Sequence, residues 1–231
     1  MTFPDEQKRL VGEKAAELVE SGMIVGLGSG STAAWFVRAL ARRMVQEKLD
    51  VRGVASSSAT QSLAEVLAIP LLELNRVQID LTVDGADEIG PGLQLIKGGG
   101  AALLREKLVW EASRRCVVIA DQSKRVPRLG KYPLPIEVVP FGHESTALRL
   151  CDALAECDIG APPRLRIRDG EVLVTDNGNL IYDVVCGAIE EPSLLANALK
   201  SVTGVVDHGL FLDLADEGLI ATDTDVERLS P

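Results

Sequence analysis

Aromatic residues are scarce: two Trp, two Tyr and four Phe make up 3% of the 231 residues. A core must therefore rest on Val, Leu, Ile and Ala. Histidine is scarcer still. His143 and His208 stand far apart and outside any nucleophile motif, which disfavours His-based triads and His-ligated metals. Both are read as structural. The four cysteines, Cys116, Cys151, Cys157 and Cys186, form no C-x-x-C pair. Cys116 and Cys186 lie in apolar stretches and read as reduced core residues rather than disulfide partners or metal ligands. A cytoplasmic protein is expected. Basic residues are outnumbered, 24 Lys and Arg against 34 Asp and Glu, for a net charge of -10. Such a surface repels nucleic acid and anionic membranes, so neither is an expected partner. Any bound phosphate needs a local pocket. No apolar run approaches the roughly 20 residues of a membrane span. The opening MTFPDEQKRLVGEK lacks a signal-peptide core.

What is present is ordinary globular composition, 46% hydrophobic and 25% charged. The first half alternates helix and strand. Helical spacing marks 5–20, 32–44, 58–68 and 101–113, and apolar runs at 23–27, 51–55, 79–83 and 116–120 read as strands. Repeated βα units predict an α/β fold, a mostly parallel sheet covered on both faces. Pro127, Pro133, Pro135 and Pro140 then crowd the chain and suggest a domain boundary. Beyond it lie a strand at 136–139, a helix at 145–157, a hairpin around Asp169-Gly170, a strand at 180–186 and a helix at 193–200. This order predicts a second, smaller α+β domain. Residues 205–212 and 219–221 are expected to return to the first sheet. The expected division is 1–130 plus 204–231 against 131–203.

Three motifs and one lysine carry candidate chemistry. Gly26-Leu27-Gly28-Ser29-Gly30-Ser31-Thr32 joins a strand to a helix. Backbone amides and the positive helix end there suit a phosphate, with hydroxyls from Ser29, Ser31 and Thr32. Ser31 replaces the last glycine of a dinucleotide fingerprint, and no Gly-Lys-Ser/Thr follows as in a P-loop. The plain alternative is a tight turn with an N-cap. Asp84-Gly85-Ala86-Asp87-Glu88 follows an apolar strand. Its carboxylates bind hydroxyls or a cation, move protons, or form a solvated turn. Lys97-Gly98-Gly99-Gly100 precedes the 101–113 helix, and three glycines in a row are costly in chain entropy unless the backbone approaches a ligand. Glu106 then falls in the second turn of that helix, over the same crevice or on the surface beside a basic residue. Lys124, in Ala120-Asp-Gln-Ser-Lys124, follows the next strand.

In combination these motifs are more specific. Gly-Ser-Gly-Ser-Thr-Ala (28–33), Asp-Gly-Ala-Asp-Glu (84–88), Lys-Gly-Gly-Gly-Ala-Ala (97–102) with Arg-Glu-Lys (105–107), Ala-Asp-Gln-Ser-Lys (120–124) and Thr-Asp-Asn-Gly-Asn (175–179) occur in order. Together they resemble the type A ribose-5-phosphate isomerase family over nearly the whole chain. Ser29 stands where that family commonly has Thr, so a hydroxyl remains. The resemblance implies interconversion of D-ribose 5-phosphate and D-ribulose 5-phosphate in the pentose phosphate pathway, with no metal or nucleotide cofactor. It implies a Rossmann-like domain, a smaller ferredoxin-like domain, and a homodimer or dimer of dimers. It implies Glu106 as base, and a substrate site of Ser29, Gly30, Ser31, Thr32, Asp84, Gly85, Ala86, Asp87, Lys97, Gly98, Gly99, Gly100, Lys124 and, near the phosphate, Lys8.

The residue chemistry agrees. Aldose–ketose isomerisation needs one base that reaches two adjacent carbons, and a carboxylate serves. It needs positive charge at the developing oxyanion, which Lys97 supplies. It needs a ring-opening acid or base, Asp84 or Asp87, and a phosphate anchor. Two other readings are an acyl-CoA transferase with Glu106 as nucleophile and a non-catalytic sugar-phosphate sensor. The acidic composition and the lack of a basic helix-turn-helix disfavour a DNA-bound sensor.

Overall fold

The computed structural model describes residues 3–223 and 225–231, and the sequence expectations touching Met1, Thr2 and Thr224 lie outside the described residues. In chain order the elements are α1 (Phe3–Ala16), β1 (Ile24–Leu27), α2 (Gly30–Gln46), β2 (Arg52–Ala55), α3 (Ser58–Val66), β3 (Leu81–Gly85), β4 (Glu88–Ile89), β5 (Leu95–Ile96), α4 (Leu103–Glu111) and β6 (Cys116–Asp121). There follow β7 (Leu134–Val138), α5 (His143–Ala155), β8 (Arg164–Leu165), β9 (Ile167–Arg168), β10 (Glu171–Val172), β11 (Leu180–Val184), α6 (Pro192–Lys200), β12 (Val205–His208), β13 (Leu210–Phe211), β14 (Glu217–Ala221) and β15 (Val226–Leu229).

The chain forms two compact units, one of residues 1–86, 105–125 and 213–231, the other of 87–104 and 126–212. In the first unit a six-stranded sheet runs β15-β14-β6-β3-β1-β2. All neighbours are parallel except the β14–β15 hairpin at the edge. Read as parallel strands in chain order, the arrangement is 2-1-3-4-5, the flavodoxin-type variant of the doubly wound α/β class. Strand alternation puts Val25, Leu27, Leu81, Val83, Val117, Ile119, Leu219 and Ala221 on one face, where they are buried with residues of α1 and α2. Helix α2 presents Ala33, Phe36, Val37, Leu40 and Ala41 at three- and four-residue spacing, one apolar stripe. Val54, Ile79 and Val109 form a second, smaller cluster. Ser57 caps α3 by accepting from the Thr60 N–H at 3.1 Å. Because β1 sends the chain outward to β2 while β3 leads it the other way, a crevice opens between their carboxyl ends, where ligands bind in such sheets.

The second unit holds a four-stranded antiparallel sheet, β12-β7-β11-β8. With α5 and α6 the chain order is βαββαβ and the spatial order 4-1-3-2, the ferredoxin-like arrangement. Ile136, Val138, Leu150, Leu154, Tyr182, Val184, Leu195 and Leu199 are among its core. The expected hairpin is β9–β10, and its Asp169 and Gly170 take φ of 54° and 85°, the left-handed pair of a type I′ turn.

Three expectations differ from the structure. Residues 205–212 do not join the large sheet: β12 pairs with β7, and β13 with β5. Only β14, with β15, returns to it. Helix α4 begins at Leu103 rather than 101, because Ala101 has φ 69° and its N–H closes a turn on the Gly98 carbonyl at 3.0 Å. The division of units also differs from 1–130 plus 204–231 against 131–203. Residues 87–104, 126–130 and 204–212 go with the second unit, where β4, β5 and β13 form their own antiparallel sheet. Among the described residues no helix is long and apolar enough to cross a membrane.

All four cysteines are free thiols. Burial, aided by the Asp216 charge, pushes Cys116 up to about 12, and burial pushes Cys186 to about 12. Burial also raises Cys157, and Cys151 is exposed. The thiolate is the nucleophile, so at pH 8 a disulfide reagent should modify Cys151 first and leave Cys116 and Cys186 until the chain is denatured. Four equivalents released at one rate from the native protein would contradict these environments.

Candidate active site

In the first unit the polar groups gather at the switch point of the sheet. Asp84 ends β3 fully buried. Its Oδ1 accepts from the N–H of Ser29 at 2.9 Å and of Gly85 at 2.7 Å. Gly28 permits this approach: a Cβ there would lie 2.3 Å from Asp84 Oδ1. Ser29 is the N-cap of α2, with extended backbone and no side-chain bond to its own helix. Its hydroxyl instead donates to Oε1 of Glu106, which is 4% exposed. One serine thus joins both buried carboxylates. Glu106 lies in the first turn of α4, one turn earlier than expected, because the helix starts late.

With the Ser29 hydroxyl engaged elsewhere, the first amides of α2 are left for an anion. Lys8 on α1 donates to the Ser31 hydroxyl at 3.0 Å, adding positive charge beside that helix end. A Cβ on Gly85 would lie 3.8 Å from Cβ of Thr32. Ser29, Ser31, Thr32, Asp84, Gly85, Glu106 and Lys8 therefore form one neighbourhood. Lys124 sits in a short 3-10 turn after β6, half-buried. That turn begins with Asp121, which accepts from the Ser123 N–H at 3.0 Å.

The second unit holds the other motif residues. Asp87 donates its N–H to the Ile96 carbonyl at 2.8 Å, and its Oδ2 accepts from the Gly99 N–H at 2.8 Å. Lys97 is 2% exposed, with its ammonium 5.3 Å from the centre of the Phe211 ring, a cation–π distance. Gly98 has φ 103°, a conformation that favours glycine.

The structure gives Glu88 a different part from the one its motif suggests, and it adds Arg166, which sequence reasoning missed. Glu88 is not part of a carboxylate cluster: its oxygens accept from the amides of Gly130 at 2.7 Å and Tyr132 at 2.6 Å. Three neighbouring acids in sequence thus serve three separate sets of backbone donors. Arg166 reaches the glycine loop across 68 residues of sequence, so no local pattern announces it. Among the described residues no group of three or more His, Cys, Asp or Glu is placed to hold a metal ion. His143 bonds the Tyr182 hydroxyl at 2.8 Å, and His208 Nδ1 accepts from the Leu210 N–H at 3.3 Å.

A doubly wound α/β sheet with a glycine–serine loop and two buried carboxylates at its switch point defines a protein of the small-ligand-binding, enzyme-type class. The chain belongs to the ribose 5-phosphate isomerase A (phosphoriboisomerase A) family, whose model matches residues 52–225. It is 68% identical over 228 residues to ribose-5-phosphate isomerase A of Caulobacter vibrioides, covering 98% of this chain and 99% of that one. Ribose 5-phosphate isomerase from Plasmodium falciparum superposes with a TM-score of 0.94 at 37% identity, over 98% of this chain and 99% of that chain. A D-ribose-5-phosphate isomerase solved with phospho-erythronic acid gives 0.91 at 34% identity over the full length of both chains.

The glycine geometry makes a prediction. Gly28→Ala forces Asp84 or the Ser29 loop to move, since contacts under 3.0 Å have no relaxed solution here. Thermal unfolding should show a loss of about 1–3 kcal/mol, typical of overpacking, and isomerase activity should fall with it. Unchanged stability and activity would show that the Asp84 carboxylate is not held as described.

Proposed function

We propose that this protein interconverts D-ribose 5-phosphate and D-ribulose 5-phosphate through an enediolate, with Glu106 as the base. The observation that carries this reading is Ser29, whose amide meets Asp84 and whose hydroxyl meets Glu106 beside the α2 N-terminus. The phosphate is held by Ser29, Gly30, Ser31 and Thr32 with Lys8. Glu106 takes the C2 proton of the open-chain aldose as the electron pair moves to the C1 carbonyl oxygen. It then returns that proton to C1, while the C2 hydroxyl gives up its own proton to the C1 oxygen, so that C2 becomes the ketose carbonyl and C1 carries the hydroxyl. Lys97 stabilises the negative oxygen, in the manner of an oxyanion donor. Asp84 or Asp87 opens the sugar ring, with Gly85 and Ala86 beside them. Gly98, Gly99, Gly100 and Lys124 complete substrate binding. The phospho-erythronic acid in the related solved isomerase supports this reading. It pairs a phosphate with a planar carboxylate, which resembles an enediolate in shape and charge.

The reaction falls in the non-oxidative pentose phosphate pathway, in the cytoplasm, with the protein working as a homodimer or a dimer of dimers. Family membership at 68% identity leaves the acyl-transferase and sensor readings without a supporting observation.

Glu106→Gln tests the base. The amide keeps size and the acceptor for Ser29, so the fold should survive. A positioned general base is worth about 10²–10⁴-fold, or roughly 3–5 kcal/mol of barrier, so kcat should fall by that factor. Exchange of the C2 proton with solvent deuterium should disappear, even with an acyclic sugar phosphate. Near-normal turnover in a folded variant would move the role to Asp84 or Asp87. A second test concerns cofactors: activity should survive exhaustive chelation, because Lys97 supplies the positive charge. Loss on EDTA treatment, restored by Mg²⁺ or Zn²⁺, would reverse that assignment.

A further inference from the structure

The Lys97-Gly98-Gly99-Gly100 loop has an organiser outside all the motifs. Arg166 lies between β8 and β9, and its side chain is 11% exposed. Its backbone is held on both sides, with its N–H on the Ile181 carbonyl at 2.8 Å and its carbonyl accepting from Leu173 at 3.0 Å. Its guanidinium forks onto Asp183 of β11 through Nε, at 2.7 Å, and Nη2. The remaining nitrogen, Nη1, donates to the carbonyls of Gly98 at 2.8 Å and Gly99 at 3.3 Å.

A trans peptide is planar, so its C=O and the following N–H point in opposite directions. The Gly98 carbonyl faces Arg166, and the Gly99 N–H accordingly faces away, onto Asp87 Oδ2. The same rule applies one peptide on. The Gly99 carbonyl faces Arg166, which turns the Gly100 N–H away from Arg166 too. Triglycine backbone is otherwise the least constrained in the chain. A rigid planar fork that grips a carboxylate on one side and two carbonyls on the other removes that freedom.

We propose that Arg166, anchored by Asp183, is a positioning residue that aims the Gly100 N–H as a hydrogen-bond donor to the reacting oxygens of the substrate. This rests on the isomerase reading above. Arg166 touches no reacting atom. Its effect is transmitted through the two peptide planes.

The test uses full-length Arg166→Lys, Arg166→Met and Asp183→Asn. Lysine keeps the charge but lacks the planar fork, and Asp183→Asn leaves Arg166 in place with a neutral anchor. Misplacement of a substrate-positioning group costs up to about 10²-fold. We expect kcat to fall about 10–100-fold in Arg166→Met, less in Arg166→Lys and least in Asp183→Asn. Inhibition by 4-phospho-D-erythronate should weaken about tenfold or more in Arg166→Met. Inhibition by inorganic phosphate should stay within about twofold, because the 29–32 loop is untouched. Wild-type kinetics in Arg166→Lys and Asp183→Asn would overturn the proposal. Equal weakening of both inhibitors would also overturn it, as a general loss of structure. Failure of the wild-type protein to isomerise ribose 5-phosphate would instead reject the underlying reading, so the two failures are distinct.

Discussion

The arrangement of the first unit turns on one constraint: two carboxylates, Asp84 and Glu106, are buried at the carboxyl ends of the central strands. A buried ionised group is costly unless donors meet it, and bonds to charged groups are worth about 1.5–3 kcal/mol each. Ser29 is one residue that serves both. For its amide to reach Asp84, residue 28 must lack a side chain. For its hydroxyl to reach Glu106, it must give up capping α2. The exposed helix end that results is the feature that suits a phosphate. The placement of both carboxylates and the open end of α2 are thus consequences of a single turn.

The second unit solves a similar problem with the opposite chemistry. There the backbone is loose, and side chains hold it. Asp87 fixes one face of the glycine loop through the Gly99 amide, and Arg166 fixes the other through two carbonyls. Glu88, adjacent to Asp87, turns to the amides of Gly130 and Tyr132 and secures a different loop. Like charges that stand side by side in sequence are separated by what each one bonds. This is why a run of acids after a strand need not make a metal site.

Much of this was legible early. The apolar runs and helical stripes of residues 5–120 are local periodicities, and they locate β1, α2, β2, α3, β3 and β6 within a few residues. The Asp-Gly turn at 169–170 needs only its own φ preferences to be read. The errors occur where pairing is non-local. Residues 205–212 look like any apolar strand, and nothing in them says that β12 pairs with β7 rather than with the large sheet. The start of α4 depends on one left-handed alanine, which no propensity forecasts.

The sequence by itself determined the α/β class, the presence of a second α+β segment and the motif residues, because periodicity, turn chemistry and glycine placement act over a few neighbours. The family resemblance rests on the same short motifs. Only the tertiary structure decided which groups meet. Ser29 meets Glu106 across 77 positions, Lys8 meets Ser31 across 23, and Arg166 meets Gly98 across 68. Such contacts are set by strand order and helix packing, and side-chain chemistry alone cannot select among the many partners that a long chain offers. Hence the glycines and carboxylates could be named from the sequence, whereas the arginine that holds the loop could not.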